Sequence, residues 1–168
     1  GLDRAGVATH LFAMAAAFFF GILFSGVVAD FFVRRGASVL TVMFGFCLFY
    51  LAGQALFVLP VPYPLQVAGW MIFGMSGQVA ILAYPWLASY FGAKLSGRAN
   101  TAMNLLIFMT AFLVQSAVGW IIDLYPRTAT GGYANEAYTA AFGLFLVVQL
   151  VALAGYLACW RVFHPAKG

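Results

Sequence analysis

Long apolar runs alternate with short polar turns along this chain, and the runs define its elements. Five of them, residues 8–29, 37–58, 65–90, 99–124 and 138–162, are about 20 residues long or longer. A helix rising 1.5 Å per residue crosses the ~30 Å hydrocarbon core of a bilayer in about 20 residues. The pattern therefore predicts five transmembrane helices. Barrel strands would alternate apolar with polar residues over about ten positions, whereas the stretch from Leu11 to Phe24 reads LFAMAAAFFFGILF and is apolar on every face. Helices alone satisfy their backbone within such a run, so the predicted class is an all-α membrane protein, a single transmembrane domain over residues 1–168.

Composition agrees, with 65% hydrophobic and only 7% charged residues against about 25% charged in an ordinary soluble chain. Charge placement adds orientation. Arg34 and Arg35 follow the first span, Lys94 and Arg98 the third, Arg161 and Lys167 the fifth, so six of the eight basic residues fall on alternate turns. Those turns are expected to face the cytoplasm of a bacterial inner (plasma) membrane. Arg4 beside Asp3, and Arg127 in a loop with Asp123 and Glu136, belong to the outer side. The net charge of +4 is the ordinary signature of such loops and calls for no nucleic acid. Cys47 and Cys159 both fall within spans and read as small packing residues, not as a disulfide framework. The predicted topology exports the first residue and leaves the last inside. With Gly1 in place of Met and no cleavable leader, the expectation is that further helices precede these five in a larger protein.

The turns differ. Residues 34–36 form a tight connection, Leu59-Pro60-Val61-Pro62-Tyr63-Pro64 a stiff one whose prolines cannot continue a helix, and Ser96 in FGAKLSGR is a candidate N-cap for the fourth helix. The one long loop, residues 125–137, is polar. Within the first span Ala13, Ala17, Gly21, Ser25 and Ala29 recur every four residues, a small-residue face that lets another backbone approach closely. Tight packing and a sliding surface between moving helices both fit that spacing.

Where the first span ends, the chain reads Gly26-Val-Val-Ala-Asp30-Phe-Phe-Val-Arg34-Arg35. A carboxylate four residues from arginines can pair with them or with the positive end of a neighbouring helix. This segment resembles the G-x-x-x-D-[RK]-x-G-[RK]-[RK] signature of the major facilitator superfamily. Gly26, Asp30, Arg34 and Arg35 match, while Phe31 and Val33 depart from it, as in the family's looser second copy after its eighth helix. Leu95-Ser96-Gly97-Arg98-Ala99-Asn100 is similar to the start of the family's eleventh helix, and Gly119-Trp-Ile-Ile-Asp123 to its end. The resemblance implies helices eight to twelve of a secondary active carrier, a symporter or antiporter of a small solute, in which two six-helix halves rock about a midplane site. It further implies that Asp30 latches onto the other half, that Arg98 receives the reciprocal contact, and that the third and fourth spans line the cavity.

Polar residues within the spans bear on that cavity. Asn100, Asn104 and Gln115 fall within about 60° of one another around a helix turning 100° per residue, with Ala111 between them. Gln78 lies near the centre of the third span among Gly74, Ser76 and Gly77, with Ser89 on nearly the same face. An amide in hydrocarbon must meet another helix or water, so Gln78, Asn104, Gln115 and Ser76 are the candidate cavity residues; interhelical glue is the competing reading. Gln54 and Gln149, on helices the resemblance makes peripheral, read as glue. Pro85 in Tyr84-Pro85-Trp86 removes a backbone hydrogen bond and is a candidate gating kink, against an ordinary interfacial aromatic pair around a tolerated proline.

No Asp, Glu, Lys, Arg or His lies near the middle of any span, and His10 reads as an interfacial or packing residue. A proton relay, or a countercharge for an ionic solute, is expected in the preceding helices. No nucleophile with a base, carboxylate pair or metal-ligand spacing stands out, so neither an enzyme nor a metal or cofactor site is expected. The partners expected are the solute, the lipid bilayer and the carrier's remaining helices. The alternative is a structural or accessory five-helix subunit of a membrane complex, for which packing ladders and amide glue would look the same.

Overall fold

The computed structural model describes residues 4–128 and 131–159, and these are helical apart from turns and a lone β-bridge between Arg127 and Tyr133. In order come α1 (Arg4–Arg34), α2 (Val39–Val58), α3 (Tyr63–Ser76), a 3₁₀ segment (Val79–Leu82), α4 (Ala83–Phe91), α5 (Ala93–Asp123) and α6 (Asn135–Ala158). Because α3 to α4 make one stretch, Tyr63–Phe91, the described residues hold five helices long and apolar enough to cross a membrane. This is the make-up of an integral multi-pass membrane protein. Asp3, Arg161, Lys167 and the predicted end of the last span at residue 162 lie outside the described residues.

Local chemistry explains the ends. Gly36 has φ +91°; its N–H bonds the Val33 carbonyl and the Ala37 N–H bonds that of Phe32, which is a Schellman closure of α1. Ser38 then caps α2, its hydroxyl accepting from the Thr41 N–H at 3.0 Å. Pro64 sits in the first turn of α3, where a missing N–H costs nothing. Ser96 is not the cap expected of it. The helix begins at Ala93, the Leu95 and Ser96 N–H groups bond to the carbonyl of Gly92, and the Ser96 hydroxyl donates to the Ala93 carbonyl at 3.1 Å from inside the first turn. Gly92 governs that junction because its φ of +73° is one that side chains disfavour.

The third span departs from the continuous helix predicted for it. At its middle, α-helical bonding stops after Ser76, and the Ile81 N–H reaches back only three residues to Gln78. Pro85 supplies the cause. Its ring crowds the carbonyl four residues back, that of Ile81, and removes the donor a regular helix would give it; the Ala83 N–H turns to the Ala80 and Ile81 carbonyls instead, and the preceding turn tightens to 3₁₀.

The chain divides into two compact units, Gly1–Ala117 and Val118–Gly168. In the first, α3 is the central element, packed against both α1 and α2. Lipid tails are as apolar as leucine, so these helices gain by close approach instead of by leaving water. A Cβ on Gly21 of α1 would lie 2.1 Å from the Met75 carbonyl oxygen, and one on Gly74 of α3 would lie 3.2 Å from that of Met14. Across the other face, a Cβ on Gly53 would lie 3.1 Å from the Gly69 carbonyl oxygen, and one on Gly69 would lie 3.0 Å from that of Gly53. Backbones touch at both crossings. Gly21, Ser25 and Ala29 of the predicted ladder are buried, as a helix-packing face requires, whether fixed or sliding. Beside the second crossing Phe57 meets Trp70 at 4.2 Å and Tyr50 stacks on Phe73 at 4.6 Å between centroids, each such pair contributing about 0.5–1.5 kcal/mol.

The second unit is built around the N-terminal end of α6. Ala137 and Ala141 are fully buried and Ile121 nearly so. Its loop closes on itself: the Thr128 N–H bonds the Gly132 carbonyl at 2.8 Å, the Tyr133 hydroxyl donates to Asp123, and Arg127 stands over the Tyr133 ring at 5.3 Å. Tyr133 ionises above the ordinary tyrosine range, chiefly because of the hydrogen bond to Asp123.

Candidate functional site

The interruption at the middle of the third span organises the candidate site. The stretch Tyr63–Phe91 has residue 77 at its centre, so Gln78 stands beside the midpoint. There it precedes the 3₁₀ turn with φ −95° and ψ 7°, half-buried, its side chain making no capping bond. Ser76 is buried, and its hydroxyl donates to the Ile72 carbonyl of its own helix. Beyond the break, the Tyr84 hydroxyl donates to the Asn104 side-chain oxygen, tying α4 to α5.

Asn104 lies four residues from the middle of α5. One turn earlier on the same helix, the Asn100 side-chain oxygen is buried with no hydrogen-bond partner among the described residues. Gln115, eleven residues further along, is exposed. The structure thus joins Tyr84 to Asn104 and keeps Asn100 on the adjoining turn, while Gln78 and Gln115 are not bonded to that pair. Tyr84 is the residue that sequence reasoning missed. It was read only as an aromatic beside Pro85, and its one available signal was a phenol two turns before the Gly92 reversal, opposite an amide-bearing helix.

The signature segment forms its own cluster at the end of α1. Asp30 pairs with Nε of Arg34 at 2.9 Å, both side chains well exposed, and the Arg35 guanidinium rests 3.4 Å from the Phe31 ring centre. A Cβ on Gly26 would meet nothing within 4 Å. Arg98 is exposed near the start of α5 beside an apolar hollow of about 510 Å³ that includes Leu87, Phe91 and Met103.

His10 joins two helices. Its Nδ1 lies 2.8 Å from the Gly6 carbonyl and its Nε2 2.7 Å from the Tyr63 hydroxyl. A carbonyl can only accept, so Nδ1 carries the proton and Tyr63 donates to Nε2 in the neutral ring. Among the described residues no group of three or more His, Cys, Asp or Glu could hold a metal ion.

Compared with protein families, with curated proteins and with solved structures, the chain gives no match in any of the three.

Proposed function

We propose that these five helices are the C-terminal part of a secondary carrier of the major facilitator type, moving a small solute by alternating access. The observation that supports it most is the broken third span: discontinuous membrane helices characteristically line midplane binding sites, where backbone freed from the helix faces a cavity. Here Gln78 stands at the start of the break and Pro85 in the first turn of the helix that follows it. The Tyr84–Asn104 bond and the unpartnered oxygen of Asn100 put further polar groups on α4 and α5, where the carrier reading needs them.

In this reading Gln78 and Asn104 contact the solute, Gln115 lines the same path, and Ser76 keeps the wall of α3 small. Pro85 and Gly77 let the two halves of the span bend. Asp30, Arg34, Arg35 and Arg98 sit where the signature segment would meet the other half of the carrier, and the open space at Gly26 leaves room for that approach.

Labelling tests this without knowledge of the solute. In the intact membrane protein, cysteines placed one at a time at Gln78 and Asn104 should react with a small, charged, impermeant thiol reagent added from either side of the bilayer. Cysteine at the outward-facing Leu106 should react from neither. Protection of 78 and 104 from both sides would make the amides interhelical glue in a structural subunit and end the carrier reading.

A further inference from the structure

The turn between α1 and α2 closes one end of an apolar groove. Phe24, Val28 and Phe32 of α1 line it opposite Gly45 and Phe49 of α2, with a volume of about 440 Å³, within the ~300–1,000 Å³ typical of sites for small molecules. Gly45 creates the space, since a Cβ there would meet nothing within 4 Å. Thr41 supplies the sole hydroxyl of the lining, and that hydroxyl already bonds Ser38 at 2.8 Å. The groove therefore offers almost nothing but hydrocarbon, its one hydroxyl already engaged by Ser38, so what fits along its length is itself hydrocarbon.

Its mouth is different. Phe32 and Ala37 of the lining flank Arg34 and Arg35. Asp30 answers Arg34 at 2.9 Å, whereas Arg35 has no carboxylate at ion-pair distance among the described residues and lies over the Phe31 ring. The first turn of α2 carries no acid, so the positive end of its dipole adds to the same corner. Apart from the Phe31 ring, Arg35 meets the Phe31 carbonyl at 3.4 Å and no anion among the described residues; a hydrocarbon groove ending at such a cation complements one class of molecule, an acyl chain bearing an anionic headgroup.

We propose that the α1–α2 groove binds an anionic phospholipid, one acyl chain lying along Gly45 and the headgroup phosphate meeting Arg35 at the turn. This needs that α1 and α2 lie in a bilayer with Arg35 open to lipid, so the headgroup and the contact with the other half in the carrier reading compete for that one side chain.

Native mass spectrometry of the intact protein in detergent tests it, with dioleoylphosphatidylglycerol, dioleoylphosphatidylcholine and glycerol phosphate as probes. Phosphatidylglycerol should be retained about five-fold more tightly than phosphatidylcholine, the effect of one basic residue at a membrane surface. Arg35→Gln should bring the two lipids level. Gly45→Leu, filling the groove, should remove both from the site while helical content is kept; Gly45→Met makes the same test with a more pliable chain should the leucine variant not fold. Glycerol phosphate, lacking a chain, should not bind. Equal retention of the two lipids by the parent, binding of glycerol phosphate as tight as that of the lipid, or lipid retention untouched by Gly45→Leu would each overturn the proposal. A changed oligomeric state in Gly45→Leu with lipid retention unchanged would mean that protein covers the groove.

Discussion

Replacing Gly21 by alanine adds one methyl group where α1 and α3 touch through their backbones. The new Cβ would stand 2.1 Å from the Met75 carbonyl oxygen, 2.6 Å from its Cα and 2.7 Å from its carbonyl carbon. No side chain can swing away, and ordinary contact begins near 3.4 Å, so the helices must part by about 1.3 Å. A gap of 0.5–1 Å already forfeits about a quarter to a half of each dispersion contact, and it would run along the seam that holds Gly74 against Met14 and Ala17. Overpacking of this kind costs up to about 3 kcal/mol, offset by the ~1 kcal/mol helix preference of alanine over glycine. The net loss is up to about 2 kcal/mol, a fall of up to about 4–8 °C in melting temperature for a chain of this length. Gly26→Ala is the matched control: same helix, same substitution, nothing within 4 Å, so it should hold or raise the melting temperature. Thermal unfolding of the detergent-solubilised protein, followed by helical circular dichroism, reads both. Should Gly21→Ala melt with or above Gly26→Ala, the backbone contact between α1 and α3 is wrong.

Three other expectations follow from the same geometry. Pro85→Ala restores a donor for the Ile81 carbonyl, so amide exchange across Val79–Ala83 should slow; unchanged exchange would assign the break to Gly77 instead. Tyr133 has its ionisation raised by Asp123, so the loop clasp contributes stability in full below the ordinary tyrosine range near pH ~10 and loses it as pH rises through the raised value. In a spectrophotometric titration Tyr133→Phe should remove a late-ionising phenol, and loss of an ordinary one would refute the clasp. Asp30→Asn breaks an exposed pair, which contributes little to stability, so the melting temperature should stay put; in the intact carrier it should instead shift cysteine accessibility between the two faces, and equal accessibility in variant and parent would count against a latch.

Sequence revealed the spans because hydrocarbon imposes a length and a polarity on any helix that crosses it, and the described helices fall on those runs, differing at their ends. It revealed the packing face of α1 less directly. An all-apolar helix carries no polar side to set its phase, so only the Ala13 to Ala29 spacing marked the face that packs, with Gly21 against α3 and Ala29 in a cluster with Val42, Phe46 and Leu82. The middle of the third span was legible in part: Pro85 announced a lost hydrogen bond, but which carbonyl it would free, and how far the tightening would run towards Gly77, depended on backbone geometry. Ser96 misled because a serine near a helix start is an N-cap by composition alone, whereas Gly92 took that place by conformation. Pairings between helices were the least legible. Nothing along the chain linked Tyr84 to Asn104, because an amide in an apolar run reads the same whether it faces a helix or the bilayer surface; Gln54, read as interhelical glue, is almost completely buried in the first unit.

Everything rests on the five crossings. Single cysteines at Arg35, Val61, Lys94 and Thr128, in a background with Cys47 and Cys159 changed to serine, can be labelled with an impermeant maleimide from one side of sealed vesicles. Five spans require 35 and 94 to react from one side and 61 and 128 from the other. Labelling of 35 and 94 from opposite sides would contradict the account.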